Sequence, residues 1–413
     1  MKRWLALLVV LATATVSTGA TGPLAQEREG DGAEFVAPRG GVDTEAPTDP
    51  RPTREDLRVK EVVAKGLKHL ASIQNNDGSW SNDIGNKLGN AYQVNRDGIG
   101  KPHIGVTSIC CMAFMAAGHT PDRGEHKRTV AAGLQFVFSH MDNETGWISA
   151  FGTRMYSHAF ASMFLAEVYG MTRDPVVLSK LRQAVQFIVR CQNQKGSWRY
   201  VPNEESSDMS ICVCQLQALR AAANVGVVVP ENAIEAAREY VRQSYIVSRG
   251  EPGAFQYQID FDGRSSFALT AAGVVALQSM GQYDSHTYEV PNATGTGTVV
   301  RRIDLSRSIA YLLNNRPDDN ARYVKPGWGE CRYGFWYGHY YAAQAMYQYQ
   351  YASPRTWQDW NTMNREHFIK MQHPNGAWTD EIGGWDPARN AFATGMACLI
   401  LSIPRGFLPI FQN

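Results

Sequence analysis

The sequence lacks a surplus of charge of either sign, with 40 Lys and Arg against 39 Asp and Glu in 413 residues. Contact with a phosphate backbone draws on a basic excess, so this balance argues against a nucleic-acid partner. Long apolar runs are also missing. Beyond the N-terminal region none approaches the ~18–20 consecutive apolar residues that cross a bilayer, so no transmembrane segment is expected in the mature chain. Apolar alternation at period two is almost absent, which gives strands little support. The seven cysteines, Cys110, Cys111, Cys191, Cys212, Cys214, Cys331 and Cys398, never form a CxxC spacing and have no His-rich run beside them. No metal site and no cofactor is therefore expected. An odd count cannot pair fully within one chain. Five of the seven lie in apolar runs such as Ile109 to Ala113 and Ile211 to Cys214, where cysteine acts as a small buried hydrophobe.

Met1-Lys2-Arg3 supplies a positive start, and Trp4 to Thr13 an apolar run too short for a span. Small residues at Thr18 and Ala20 complete a signal peptide over residues 1–20, with Ala25 as an alternative cleavage position. The expected location is periplasmic or extracellular. Residues 21–55 interleave Pro23, Pro38, Pro47, Pro50 and Pro52 with eight acidic residues, and Phe35 is their only aromatic. Such a stretch buries too little apolar surface to offset the entropy of ordering, and it reads as a disordered tether.

What is present in the remainder is a repeat. Gln74-Asn75-Asn76-Asp77-Gly78-Ser79-Trp80 returns as Gln192-Asn193-Gln194-Lys195-Gly196-Ser197-Trp198 and as Gln372-His373-Pro374-Asn375-Gly376-Ala377-Trp378. Asp142 to Trp147 is a copy without the Gln. The glycine suits a helix-ending turn with positive φ, and the tryptophan can fold back to pin it. Amphipathic patterns precede the turns, at 62–73, 130–139 and 181–191, with two degenerate members at 233–245 and 305–315. Stretches apolar nearly all round follow them, at 106–118, 156–169, 210–223, 266–280, 339–349 and 391–403, which predicts inner helices buried on every side. With an outer helix also before the turn at 372–378, six outer and six inner helices predict an all-α fold, an (α/α)6 toroid over residues 56–413, since each pair needs neighbours on both sides.

Lys65-Gly66-Leu67-Lys68-His69-Leu70, followed by Gln74 and Gly78-Ser79-Trp80, resembles the QW repeat of squalene and hopene cyclases, and related repeats occur in protein prenyltransferase β subunits. The resemblance covers essentially the whole mature domain. It implies a central cavity that takes an isoprenoid or other large apolar ligand near the N-terminal ends of the inner helices, with acid-catalysed isomerase chemistry. The cyclase DxDD motif corresponds to Ser206-Ser207-Asp208-Met209-Ser210, where Asp208 aligns with the proton donor; Asp208 can equally cap the helix that follows it. The prenyltransferase Asp-x-Cys corresponds to Asp262-Gly263-Arg264, with Arg264 in place of the zinc-binding thiolate, and His339 stands where the family histidine lies. Zinc is therefore not implied. Arg264 can pair with Asp262 or bind an anionic part of a ligand.

Other polar residues stand at the same helix ends. These are Arg154, Tyr156 and His158 in one repeat and Trp385, Asp386 and Asn390 in the last. His158 is either a ligand contact or a histidine satisfied by the next helix. Asp318-Asp319 reads as a solvated turn. The run from Tyr323 to Tyr351 is rich in aromatics, of which Trp336, Tyr337 and Tyr340 are candidates to line the cavity.

Three functions fit these residues. The first is the cyclase-like protein, with Asp208 as acid. The second is a polysaccharide lyase or hydrolase, using Arg154, Tyr156, His158, Arg264, Tyr337 and His339, or Asp208 and Asp262 as facing carboxylates. The third is a non-catalytic binding or scaffold protein. The centre of the ring separates them: closed and apolar for an isoprenoid, polar and charged for an oligosaccharide, filled for a scaffold.

Overall fold

The structure is a computed structural model that describes residues 53–82, 100–151, 153–247, 251–259, 265–291, 296–317, 334–379, 390–406 and 408. The expected signal peptide and residues 21–52 of the expected tether lie outside them. Twelve α-helices and one hairpin are present among the described residues. In chain order they are α1 Arg54–Ser72, α2 Ile104–Ala116, α3 Lys127–Ser139, α4 Met155–Thr172, α5 Pro175–Arg190, α6 Met209–Asn224, α7 Glu231–Ser244, α8 Phe267–Ser279, α9 Leu305–Asn314, α10 Phe335–Tyr349, α11 Pro354–Met371 and α12 Ala391–Ser402.

Even-numbered helices form the inner ring. Each packs on the next, α2 on α4, α4 on α6, and so on to α12, which returns to α2. Every residue of α2 and of α12 is buried, as their uniformly apolar sequences require. Odd-numbered helices lie outside and bury one stripe each. In α5 that stripe is Val177, Leu181, Ala184, Val185, Phe187 and Ile188. Helix starts are fixed locally, by a Thr53–Asp56 capping box on α1 and by Asp174 with Pro175 on α5.

The repeated turn holds the two layers together. Trp80, Trp198 and Trp378 each fold back so that the indole N–H reaches a carbonyl in the last turn of the preceding outer helix, at Leu70, Ile188 and Phe368, 2.9, 2.8 and 2.7 Å away. At Leu70 and Ile188 the indole adds a second bond to a carbonyl that already accepts the N–H of the capping residue, Ile73 or Cys191. Gln74 and Gln192 donate both to the glycine carbonyl of their own turn and to a carbonyl of the next outer helix, Thr129 or Ala233. Gln372 does the same across the chain ends, reaching Val62 of α1 at 2.8 Å. The turn that links neighbours elsewhere thus closes the ring.

One element departs from the all-helical expectation. Strands β1 His286–Pro291 and β2 Thr298–Ile303 pair antiparallel between α8 and α9. The sequence Thr298-Val299-Val300-Arg301-Arg302-Ile303 does not alternate because β2 is exposed over all but Ile303, so no buried face imposes a period. Its β-branched content was the usable signal. Among the described residues no helix is long and apolar enough to cross a membrane. The six described cysteines are buried thiols, and Cys331 lies outside the described residues.

Candidate functional site

Asp208 caps α6. Its Oδ1 accepts the backbone N–H of Ser210 at 2.7 Å and the Ser210 hydroxyl at 2.5 Å. Its Oδ2 accepts Nη1 of Arg199 at 2.9 Å. Arg199 is delivered by the repeat itself, since it directly follows Trp198, whose indole is anchored on α5. The carboxylate is wholly buried and Arg199 is 8% exposed, so this ion pair sits inside the ring. Burial pushes the Asp208 carboxyl up from its ordinary value, while the Ser210 hydroxyl, Arg199 and the Tyr257 hydroxyl pull it back. Burial works against the Arg199 charge, but Asp208 and the neighbouring tyrosines outweigh it and hold the guanidinium cationic. An arginine cannot release its proton, so a neutral Asp208 would leave a buried cation uncompensated.

Four tyrosines surround this pair. Nη1 of Arg199 also donates to the Tyr257 hydroxyl at 2.9 Å, and Tyr257 and Tyr200 are hydrogen-bonded to each other. The Arg199 guanidinium lies 4.2 Å from the centre of the Tyr200 ring. Tyr156 bonds to the Ser210 hydroxyl, and Tyr337 donates to the Ser210 carbonyl at 2.8 Å. Burial, then the Asp208 charge, raises the Tyr156 phenol well above its usual range, and burial does the same for Tyr337. All four side chains keep partial accessibility.

Farther along the axis the ring is filled. Helices α4 and α10 stand three positions apart in a ring of six, yet Phe160 and Tyr340 bring ring centres within 6.1 Å. The Tyr340 hydroxyl meets the Met163 sulfur at 3.8 Å, and Gln217 of α6 bonds to Gln344 of α10 at 2.5 Å. Tyr340 is 1% exposed and packs on Tyr341, 5.0 Å between ring centres.

The candidate residues therefore separate. Asp208, Tyr156, Tyr337 and Tyr340 come together, and the Arg154 guanidinium lies 6.0 Å from the Tyr200 ring centre. Asp262, Arg264, Trp385, Asp386, Asp318 and Asp319 lie outside the described residues. Asn390 sits at the closing seam, where Oδ1 is 2.7 Å from the His69 ring.

Three candidates face away from the axis. His158 accepts the Ile148 N–H on Nδ1 at 3.1 Å and donates from Nε2 to the Ala184 carbonyl of α5 at 3.1 Å, so neither ring nitrogen is left for a ligand. Thr107, Thr270 and Thr394 take the same amide in other repeats, bonding the N–H of Trp80, Phe255 and Trp378. His158 thus occupies a structural position of the repeat. Burial lowers its pKa to about 4, offset in part by the Ala184 carbonyl. His339 follows Trp336-Tyr337-Gly338 as His158 follows Met155-Tyr156-Ser157, and it packs on Phe335, Phe267 and Phe368 rather than in the cavity. Burial, with His367 and Arg316 nearby, holds it well below the usual imidazole range. Trp336 stacks on Phe368 of α11, 5.4 Å between centres, and its indole bonds to the Thr379 carbonyl. Helix α10 starts four residues earlier than its sequence pattern suggested, which puts 337, 340, 341 and 344 on the axial face and 336 and 339 on the outer one.

Arg199, Tyr200, Ser210 and Tyr257 are the site residues that the sequence reading did not select. A signal for Arg199 existed. Ser81 and Thr379 follow the tryptophan of the sister turns, and a cation in that register is out of pattern. Tyr257 follows two residues after Phe255, which takes the tryptophan place in a turn whose Gly253 has φ +96°. Among the described residues no three His, Cys, Asp or Glu converge as metal ligands.

Neither a protein-family model nor a curated protein matches the chain. Solved structures do. A cellobiose 2-epimerase from Bacillus thermoamylovorans B4167 superposes with TM-score 0.55 at 13% identity, over 84% of this chain and 99% of that one. An inactive variant of the α-1,6-mannanase GH76A of Salegentibacter sp. HEL1_6, in complex with α-1,6-mannotetrose, gives 0.56 at 10% identity over 83% and 98%. A variant of the type II terpene cyclase MstE from Scytonema, in complex with geranylgeranyl dihydroxybenzoate, gives 0.52 at 12% identity over 84% and 97%. At these identities the likeness is one of fold, and it agrees with the closed double ring described above: the chain is an α/α toroid.

Proposed function

We propose that the protein is an exported toroid that binds a saccharide at the N-terminal end of its inner ring. One observation carries the reading. The accessible end of the axis is walled by four phenols hydrogen-bonded around the Asp208–Arg199 pair, which offers aromatic faces to sugar rings and oxygens to sugar hydroxyls. A cyclase acid must hold a transferable proton, whereas Asp208 accepts from a guanidinium, an amide and a hydroxyl. Carbohydrate is also a substrate class met by toroids of this shape, as the names of the epimerase and the mannanase state.

Thermal unfolding of the purified protein against two panels tests this. The panels are neutral oligosaccharides, including cellobiose and α-1,6-mannotetraose, and isoprenoids in mild detergent. A ligand that binds only the native state stabilises it by about 2.7 kcal/mol at a hundredfold excess over Kd. A raised midpoint with saccharides alone is expected. A shift with isoprenoids and none with saccharides would return Asp208 to the role of acid.

A further inference from the structure

The hydrogen atoms of the phenol cluster have only one consistent assignment, and it sets the polarity of the site. Ser210 owns a single hydroxyl hydrogen, which is spent on Asp208 Oδ1. In the bond between Tyr156 and Ser210 the tyrosine must then be the donor. Tyr337 donates to the Ser210 carbonyl, an atom that can only accept. The Tyr257 hydroxyl bonds to the Asp208 carboxylate and receives Nη1 of Arg199, so the hydrogen between Tyr200 and Tyr257 comes from Tyr200. The buried carboxylate is the sink toward which Tyr156, Tyr200 and Arg199 point, while Tyr337 is spent on the Ser210 carbonyl.

Three phenols that keep partial accessibility, Tyr156, Tyr200 and Tyr337, thus have their hydrogens turned inward. What their oxygens still offer is lone pairs. Asp208 at 2.9 Å and Glu204 at 3.7 Å offset the Arg199 charge, and Arg154 lies against the ring of Tyr200. We infer that this end of the ring is a hydrogen-bond acceptor surface, selecting uncharged saccharides through their hydroxyl hydrogens and discriminating against uronates, whose carboxylates would face phenol lone pairs. The inference rests on the saccharide reading and narrows it. Its basis is that a group with no donor left cannot satisfy a buried anion, which then costs free energy on desolvation.

The experiment is calorimetric titration of the purified protein with matched pairs, cellobiose against cellobiouronate and neutral gluco- and manno-oligosaccharides against their uronate counterparts. Each neutral sugar that binds is expected to do so at least tenfold more tightly than its uronate. Equal or tighter uronate binding overturns the acceptor surface while leaving saccharide binding intact. Silence from every sugar, neutral and acidic, overturns the saccharide reading and the inference with it. The directional test is Ser210→Ala, which releases the Tyr156 hydrogen toward the cavity. It is expected to shrink the preference for the neutral sugar at least threefold, whereas Tyr156→Phe, which deletes the oxygen, weakens the neutral sugar. A Ser210→Ala protein with folded circular dichroism and unchanged preference counts against the assignment.

Discussion

Arg199 and Asp208 meet at 2.9 Å inside the ring, joined across nine residues of chain by the turn that carries Trp198 and the cap that starts α6. Removing one charge of such a pair is expected to be far worse than removing both, because the survivor stays buried without its closest counter-ion, and for Arg199 only Glu204 at 3.7 Å is left. Asp208→Asn retains a good capping side chain, so it isolates the charge from the cap. It is expected to cost about 3–5 kcal/mol in urea denaturation, and Arg199→Met a similar amount. The double variant is expected to lose much less than the sum of the singles. Additive losses would show that the two groups are not coupled in the folded protein.

His158 makes stability depend on pH. Its folded pKa of about 4 lies below the unfolded value of 6.5, so between these values the unfolded chain binds the extra proton. The contribution is complete above pH 6.5 and is lost as pH falls toward 4. At about 1.4 kcal/mol per pH unit of separation it amounts to roughly 3 kcal/mol. His339 is displaced in the same direction and adds to the slope. His158→Gln can serve both the Ile148 amide and the Ala184 carbonyl without titrating. Denaturation curves from pH 7 to pH 4 are expected to show a shallower loss for this variant than for the wild type; parallel curves would mean that His158 does not titrate in this range.

Ring closure can be separated from backbone strain by two glycines of nearly equal φ. Gly376 has φ +90° and a Cβ there would lie 2.4 Å from the Lys65 carbonyl of α1, whereas Gly118 has φ +92° and open space around it. Gly118→Ala is expected to cost about 1–2 kcal/mol, the left-handed penalty alone. Gly376→Ala carries that cost and must also push α1 off the last turn, loosening the Gln372–Val62 bond, and is expected to cost about 2–5 kcal/mol. Equal midpoints for the two variants would leave the seam without a role in stability.

The double ring was legible in the sequence because its signals are local. The Gln, Gly and Trp of each turn make bonds within ten residues of themselves or to the next outer helix, and uniformly apolar helices leave no choice but burial. The site was legible only in part. Asp208 was found through its correspondence to the cyclase DxDD motif, and Tyr156 through its place at a helix end. Arg199, Tyr200 and Tyr257 sit on connections rather than helices, where no periodicity marks the inward side. His158 and Trp336 show the converse problem. They are polar or aromatic residues at the correct end of the ring, and only the rotation of their helices assigns them to the outer layer. A four-residue error in the start of α10 is enough to hide that rotation.

Trp336 and Tyr337 are adjacent in sequence, about 100° apart around α10, and pack against different layers, so substitution of each should move a different observable. Trp336 joins Phe368 and the Thr379 carbonyl at the outer layer. Trp336→Phe is expected to lower stability by about 1–3 kcal/mol, from lost packing and a lost hydrogen bond, with saccharide affinity unchanged. Tyr337 faces the axis with its ring 6.4 Å from that of Tyr156. Tyr337→Phe gives up one hydrogen bond to the Ser210 carbonyl, about 1 kcal/mol of stability, and also deletes an acceptor oxygen at the proposed site. Its saccharide Kd is expected to rise about five- to tenfold, which calorimetric titration would measure directly. An affinity loss in Trp336→Phe with none in Tyr337→Phe would place the ligand between α10 and α11 and overturn the axial site.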